Sequence, residues 1–188
     1  MGYFDTEESV QEYMEMAEGF NGAELIQTLA GFLQKGSTVL ELGMGPGKDL
    51  DILKSSYTAT GSDNSQIFLD RYRKDHPDAD LLFLDATSLT IERKFDCIYS
   101  NKVLHQLTRE QLRETFHQQK QILNPGGLIA HSFWYGTEPE EYHGIFVNNV
   151  TEEELTAIVQ NDYDILRLER YTEMEEDDSI FIILRKME

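Results

Sequence analysis

Residues 38–49 read Thr-Val-Leu-Glu-Leu-Gly-Met-Gly-Pro-Gly-Lys-Asp, and their order decides how the chain folds. The β-branched and apolar run from Thr38 to Leu42 has the composition of a buried strand. It stops at Gly43, Gly45 and Gly47, and apolar positions resume at Leu50, Ile52 and Leu53. The pattern predicts a strand, a tight turn and the first turns of a helix. Glycines in such a turn permit positive φ and remove Cβ atoms that would hold a ligand away from the backbone. The helix behind them turns unpaired N–H groups toward the same place. The expectation is a cradle for a nucleotide-sized cofactor.

Spacing narrows the cofactor. A dinucleotide fingerprint, Gly-x-Gly-x-x-Gly, is met by Gly43 and Gly45, but its third glycine falls on Lys48. A phosphate-binding P-loop would need glycine at Leu42 and Ser or Thr at Asp49, so the Gly47-Lys48 pair is a false lead. What remains, Glu41-x-Gly43-x-Gly45-x-Gly47, resembles the class I S-adenosylmethionine-dependent methyltransferases. The resemblance implies a turn shaped for a methionine tail and a ribose, with no pyrophosphate to hold.

Outward from this stretch, strand and helix patterns alternate. Strand patterns lie near 38–43, 58–63, 81–85, 95–100 and 128–133, and helical patterns near 48–55, 65–75, 109–122 and 152–160. Thr108 with Gln111 and Thr151 with Glu154 match capping boxes. Pro125-Gly126-Gly127 is expected to stop a helix and turn the chain into the fifth strand. The crossover 87–94 is too short for a long helix. Upstream, 6–18 and 23–34 read as amphipathic helices separated by Asn21-Gly22. Alternation of this kind predicts a mostly parallel sheet covered on both faces. Near the end, 164–172 and 179–186 are strand-like and joined only by the acidic turn 173–178, which fits antiparallel neighbours. A three-layer α/β/α Rossmann-like sandwich follows, with a seven-stranded mostly parallel sheet ending in an antiparallel hairpin, as in the family it resembles. The whole chain, 1–188, is expected to be one domain, with 1–35 a helical lid and 36–188 the core.

Composition removes several alternatives. Thirty-five acidic residues against 16 Lys and Arg leave a net charge of −19, which opposes a phosphate backbone over most of the surface, so no nucleic-acid partner is expected. No apolar run approaches the roughly 20 residues of a membrane span, and the acidic N-terminus lacks the layout of a signal peptide. The single cysteine, Cys97, lies in an apolar run and reads as a core residue. A cytoplasmic protein without membrane attachment is the expectation. No His, Cys and carboxylate spacing suggests a metal site.

Ligands of open α/β sheets lie beyond the carboxyl ends of the strands. The resemblance then implies cofactor-binding roles at those ends: Glu41 and the three glycines after strand one, Asp63 for the ribose hydroxyls with Asn64 beside it, Asp85 and Ala86 for adenine, and the Asn101 backbone for the methionine ammonium. Asn64 departs from the family's usual apolar residue: either Leu84 or Leu104 packs on adenine instead, or the adenine pocket is more polar than in the family. Tyr13, on the first helix, is placed over the methionine carboxylate. S-adenosylmethionine is the expected donor and S-adenosylhomocysteine the product. Methyl transfer from a sulfonium needs alignment more than acid–base groups, so no catalytic motif is required; His105 is the one candidate base. The aromatic segment after strand five, with Trp134, Tyr142 and His143, reads together with His105 as the pocket of a small-molecule acceptor. His131, inside a strand, reads as a buried hydrogen-bonded residue. Two further readings fit the same residues: a donor-binding regulatory module without turnover, and a methyltransferase acting on protein side chains. The absence of an Asn/Asp-Pro-Pro-aromatic segment at 100–103, and of Pro before Cys97, removes nucleic-acid base methylation.

Overall fold

A computed structural model describes residues 3–142 and 145–188 of the chain. Two helices lead, α1 (Glu7–Met16) and α2 (Ala23–Leu29). The quoted stretch then forms β1 (Thr38–Leu42), the glycine turn and α3 (Lys48–Lys54). There follow β2 (Thr58–Asp63), α4 (Gln66–Asp75), β3 (Leu81–Phe83), β4 (Phe95–Asn101), α5 (Arg109–Ile122) and β5 (Leu123–Trp134). The last third comprises β6 (Pro139–Tyr142), β7 (Ile145–Asn148), α6 (Glu152–Val159), β8 (Tyr163–Tyr171) and β9 (Ser179–Lys186). Among the described residues no helix is long and apolar enough to cross a membrane.

Seven strands form one sheet in the order β3-β2-β1-β4-β5-β9-β8. The first five strands run parallel, and β9 and β8 are antiparallel to their neighbours. Strand order reverses between β1 and β4, which opens a crevice at their carboxyl ends. Side chains alternate across the sheet. Leu40, Ile98, Ile129 and Ile182 pack with Leu112 and Phe116 of α5 and Leu155 of α6. Val39, Cys97, Ala130 and Ile183 pack on the other face with Leu25 and Leu29 of α2 and Leu53 of α3. This is the period-two signature of a sheet buried on both sides.

Both capping boxes form: the side chains of Thr108 and Thr151 accept the N–H groups of Gln111 and Glu154, whose own side chains reach back. Three segments differ from expectation. Helix α2 ends at Leu29 rather than near 34, because Gly31, Phe32 and the carbonyls behind them close into tight turns. Strand β5 begins at Leu123, ahead of the Pro-Gly-Gly segment. That segment is absorbed as a bulge, across which the β4 partner advances only from Phe95 to Cys97 while β5 advances from Leu123 to Leu128. The aromatic segment given no strand in the sequence reading places Trp134 at the end of β5 and adds a separate antiparallel pair, β6 with β7.

Candidate functional site

All three glycines of the turn after β1 adopt the left-handed backbone that glycine tolerates: φ is +66° at Gly43, +49° at Gly45 and +85° at Gly47. The three glycines do different work. A Cβ on Gly43 would lie 2.6 Å from Val103, and one on Gly47 2.3 Å from the Tyr72 ring. A Cβ on Gly45 would instead meet only the Tyr13 ring at 3.8 Å. Two glycines therefore allow close packing of the protein on itself, and Gly45 alone holds space open. Gly47, expected at the cofactor, lines neither cavity described below and serves as the residue preceding α3.

Two cavities meet at this turn, sharing Tyr13, Gly43, Gly45, Lys102 and Gln106. The smaller, of 90 Å³, lies over β2 and β3 and is lined by Asp63, Asn64, Leu84, Asp85 and Ala86, with Phe4 and Phe68 closing it. The larger, of 230 Å³, lies over β1, β4 and β5. Glu41, Asp49, Asn101, His105 and Trp134 line it, and Ile145, Val147, Glu173 and Met174 arrive from distant segments. Leu84 thus stands where an apolar ring partner was expected, and Leu104 does not. Tyr142 ends β6, but its side chain, and all of His143, lie outside the described residues.

Asp63 clamps the turn. Its carboxylate accepts the Gly45 N–H at 2.9 Å and the Ser65 N–H at 2.8 Å. Burial raises its pKa, and these backbone donors oppose the rise. Glu41 is 3% exposed, its Oε2 has no partner, and burial with the neighbouring Asp49, Asp63 and Asp51 raises its pKa well above the usual range. Asp49 is used as a hub, accepting the Gly22 N–H at 2.6 Å, the Tyr99 hydroxyl at 2.8 Å and the Asn101 amide at 3.1 Å. The Asn101 side chain also accepts from Ser132 at 2.5 Å, so both ends of its amide are tied to the protein. Asp85 is exposed and accepts the Thr87 N–H and hydroxyl, each at 2.7 Å.

Lys102 was missed by sequence reasoning. It follows β4 with φ +55°, an uncommon conformation for a side-chain-bearing residue. Its Nζ donates to the Phe133 carbonyl at 3.0 Å and Ser179 Oγ at 2.5 Å, and sits 3.4 Å from the Trp134 ring centre. Burial brings its pKa down to about 7, with the Glu173 and Asp178 carboxylates pulling the other way. Next to it, His105 is buried with Nδ1 unpartnered. Burial, and secondarily Lys102, push its pKa down to about 3. A ring so reluctant to take a proton favours the pocket-wall reading of His105 over the base reading. His131 is buried as expected, bridging Ser100 Oγ and Gln119 Oε1, each at 2.8 Å.

A family model described as "Methyltransferase domain" matches residues 39–127. A trans-aconitate 2-methyltransferase of Delftia acidovorans is 35% identical over 100 residues, covering 49% of this chain and 36% of that protein. The chain thus spans about a third of that relative's length. Among solved structures, the 1,6-didemethyltoxoflavin-N1-methyltransferase of Burkholderia thailandensis, with bound 1,6-didemethyltoxoflavin and S-adenosylhomocysteine, superposes with a TM-score of 0.82. It is 16% identical, over 96% of this chain and 85% of that one. The N-methyltransferase NodS of Bradyrhizobium japonicum, in complex with S-adenosylhomocysteine, superposes at 0.76 with 14% identity over the full length of both chains.

Proposed function

We propose that this chain is a class I S-adenosylmethionine-dependent methyltransferase and that it transfers the methyl group of S-adenosylmethionine to a small organic acceptor. The observation that bears most weight is the pair of cavities joined at Gly43 and Gly45, one edged by strand-end acids and the other containing the orphaned Glu41 oxygen. The residues fit the donor. Space at Gly45 would be filled by any Cβ, and an unpartnered buried carboxyl oxygen suits a cationic amino acid tail.

In this reading Asp63 keeps lone pairs for the ribose hydroxyls while it holds the turn, and Asn64, Leu84, Asp85 and Ala86 enclose the adenine. Glu41, the Asn101 backbone and Tyr13 surround the methionine tail. Residues 1–35 act as the lid over a core formed by 36–188. When bound, the donor supplies a methyl carbon already activated by the sulfonium charge. The protein's remaining tasks are alignment and exclusion of water. Tyr13 serves the second, since it lies over both cavities and its hydroxyl is kept protonated by burial and by Asp63 and Asp49. His105 and Trp134 wall the acceptor side. The names of the Delftia and Burkholderia proteins specify small organic acceptors, which favours the same class here.

Calorimetric titration with S-adenosylhomocysteine is expected to show one-to-one binding. Methyl-labelled donor, incubated with a metabolite extract, is expected to label small molecules. Absence of binding at millimolar ligand, or label confined to macromolecules, would overturn the proposal.

A further inference from the structure

We propose that the acceptor is an amine borne on an apolar body, and that the same end of the cleft rejects carboxylates; this rests on the methyl transfer proposed above. The mouth of the larger cavity is apolar. Met16, Phe20 and Met174 are 36%, 40% and 62% exposed, and all three line this one opening, above Ile145 and Val147. Large apolar side chains left in water and gathered at one cleft mark a surface meant to be covered.

The charges beneath decide the polar end. Among the described residues lining the cavity, the lysines are Lys48, which opens α3 directly behind the glycine turn, and Lys102, at the Trp134 end, whose ammonium is fully engaged. Lys48 Nζ donates to the Ala17 carbonyl at 2.7 Å. Lys102 Nζ has two oxygen partners and the face of Trp134, which together use the three hydrogens of an ammonium. Its depressed pKa further weakens it as a fixed positive charge at neutral pH. Glu41, Asp49 and Glu173 line the same space in a molecule of net charge −19. With Glu41 and Asp49 flanking the glycine turn, Glu173 is the carboxylate left at the Trp134 end. A carboxylate acceptor there would be desolvated without a free cation and beside a like charge, whereas an amine meets an acid and the neutral ring of His105.

The chemistry agrees. The ammonium that Glu173 attracts first gives one proton to water, and the lone pair so freed forms the new C–N bond as the S–C bond breaks, while the released pair stays on sulfur as a neutral thioether. The product leaves as an N-methylammonium, so one proton is lost in all and solvent takes it.

The test uses the intact protein saturated with S-adenosylhomocysteine, titrated calorimetrically with 2-phenylethylamine and with 3-phenylpropanoate. The amine is expected to bind about tenfold more tightly or better, and Glu173→Lys to reduce or invert that preference. In the presence of labelled donor, the product is expected to be an N-methylamine and not a methyl ester. Equal or tighter binding of the carboxylate, or failure of both to bind, overturns the inference even where the homocysteine product binds. A preference unmoved by Glu173→Lys does the same. Failure of S-adenosylhomocysteine itself to bind removes the proposed methyl transfer instead.

Discussion

A methyl group added at each glycine of the turn would meet a different neighbour, and this separates folding from binding residue by residue. Gly43→Ala places a Cβ 2.6 Å from Val103 at φ +66°, so strain and overpacking act together, about 2–4 kcal/mol of lost stability. Gly45→Ala at φ +49° meets ordinary van der Waals contact with Tyr13 and costs the strain alone, about 1–2 kcal/mol. Its methyl, however, projects where both cavities meet. Thermal melts should rank Gly43→Ala well below Gly45→Ala, while calorimetry should find that folded Gly45→Ala has lost most of its affinity for S-adenosylhomocysteine. Native-like affinity in Gly45→Ala would remove the turn from the binding site. Asp63→Ala loses the clamp on Gly45 and Ser65 as well as the proposed ribose contacts, so donor affinity should fall by about 1–3 kcal/mol. Unchanged affinity would contradict the ribose assignment.

At the scale of elements, β4, β5 and α5 are pinned together by the chain Ser100–His131–Gln119, and its pH dependence has a definite sign. Burial lowers the folded pKa of His131 to about 3, below the unfolded value of 6.5. The unfolded chain therefore takes up a proton first, and stability is lost as pH falls from about 6.5 toward 3. Denaturant melts of wild type and His131→Asn should converge by about 2 kcal/mol between pH 7 and pH 5, because the variant lacks this penalty. A constant difference would mean that the ring is charged in the folded state. His131 was legible in sequence as a polar residue inside an apolar strand. So were the strands, the longer helices and both capped starts, because each is written in local period and end chemistry. The strand-end residues Asp63 and Asp85 were legible once strand order was assumed. Lys102 was not, since its partners, the Phe133 carbonyl, the Trp134 ring and the Ser179 hydroxyl at the start of β9, come from elements far along the chain. Glu173 and Met174 read as a solvated acidic turn. They reach the cavity only because Asp178 accepts the N–H groups of Glu173, Met174 and Glu175 and folds the turn back. The β6–β7 pair was hidden for a related reason: its strands are short, and their pairing depends on each other more than on local pattern.

Across the whole molecule, charge and lid act on the same site. Helix α1 is held over the cavities by Arg71, which binds Glu7 and Gln11, by the Ser65 hydroxyl on the Phe4 carbonyl, and by the packed rings of Phe4, Tyr13 and Phe68. The ion pair in that set is solvent-exposed, so screening weakens it only slightly in energy, about 0–1 kcal/mol. A formal net charge of −19 makes the compact state repel itself. Raising sodium chloride from about 0.01 M to 0.5 M shrinks the screening length from roughly 30 Å to a few ångströms, so the long-range repulsion disappears while short contacts persist. Thermal stability should therefore rise with salt. Donor affinity should move the other way, because S-adenosylmethionine carries a net positive charge into a field that screening removes. Its demethylated product carries no net charge and should be nearly indifferent. Parallel titrations of the two ligands across that salt range measure the field at the sulfur directly. The ratio of their dissociation constants should shift steadily toward the product as salt increases. A ratio independent of salt would show that the acidic surface, for all its size, does not reach the cleft.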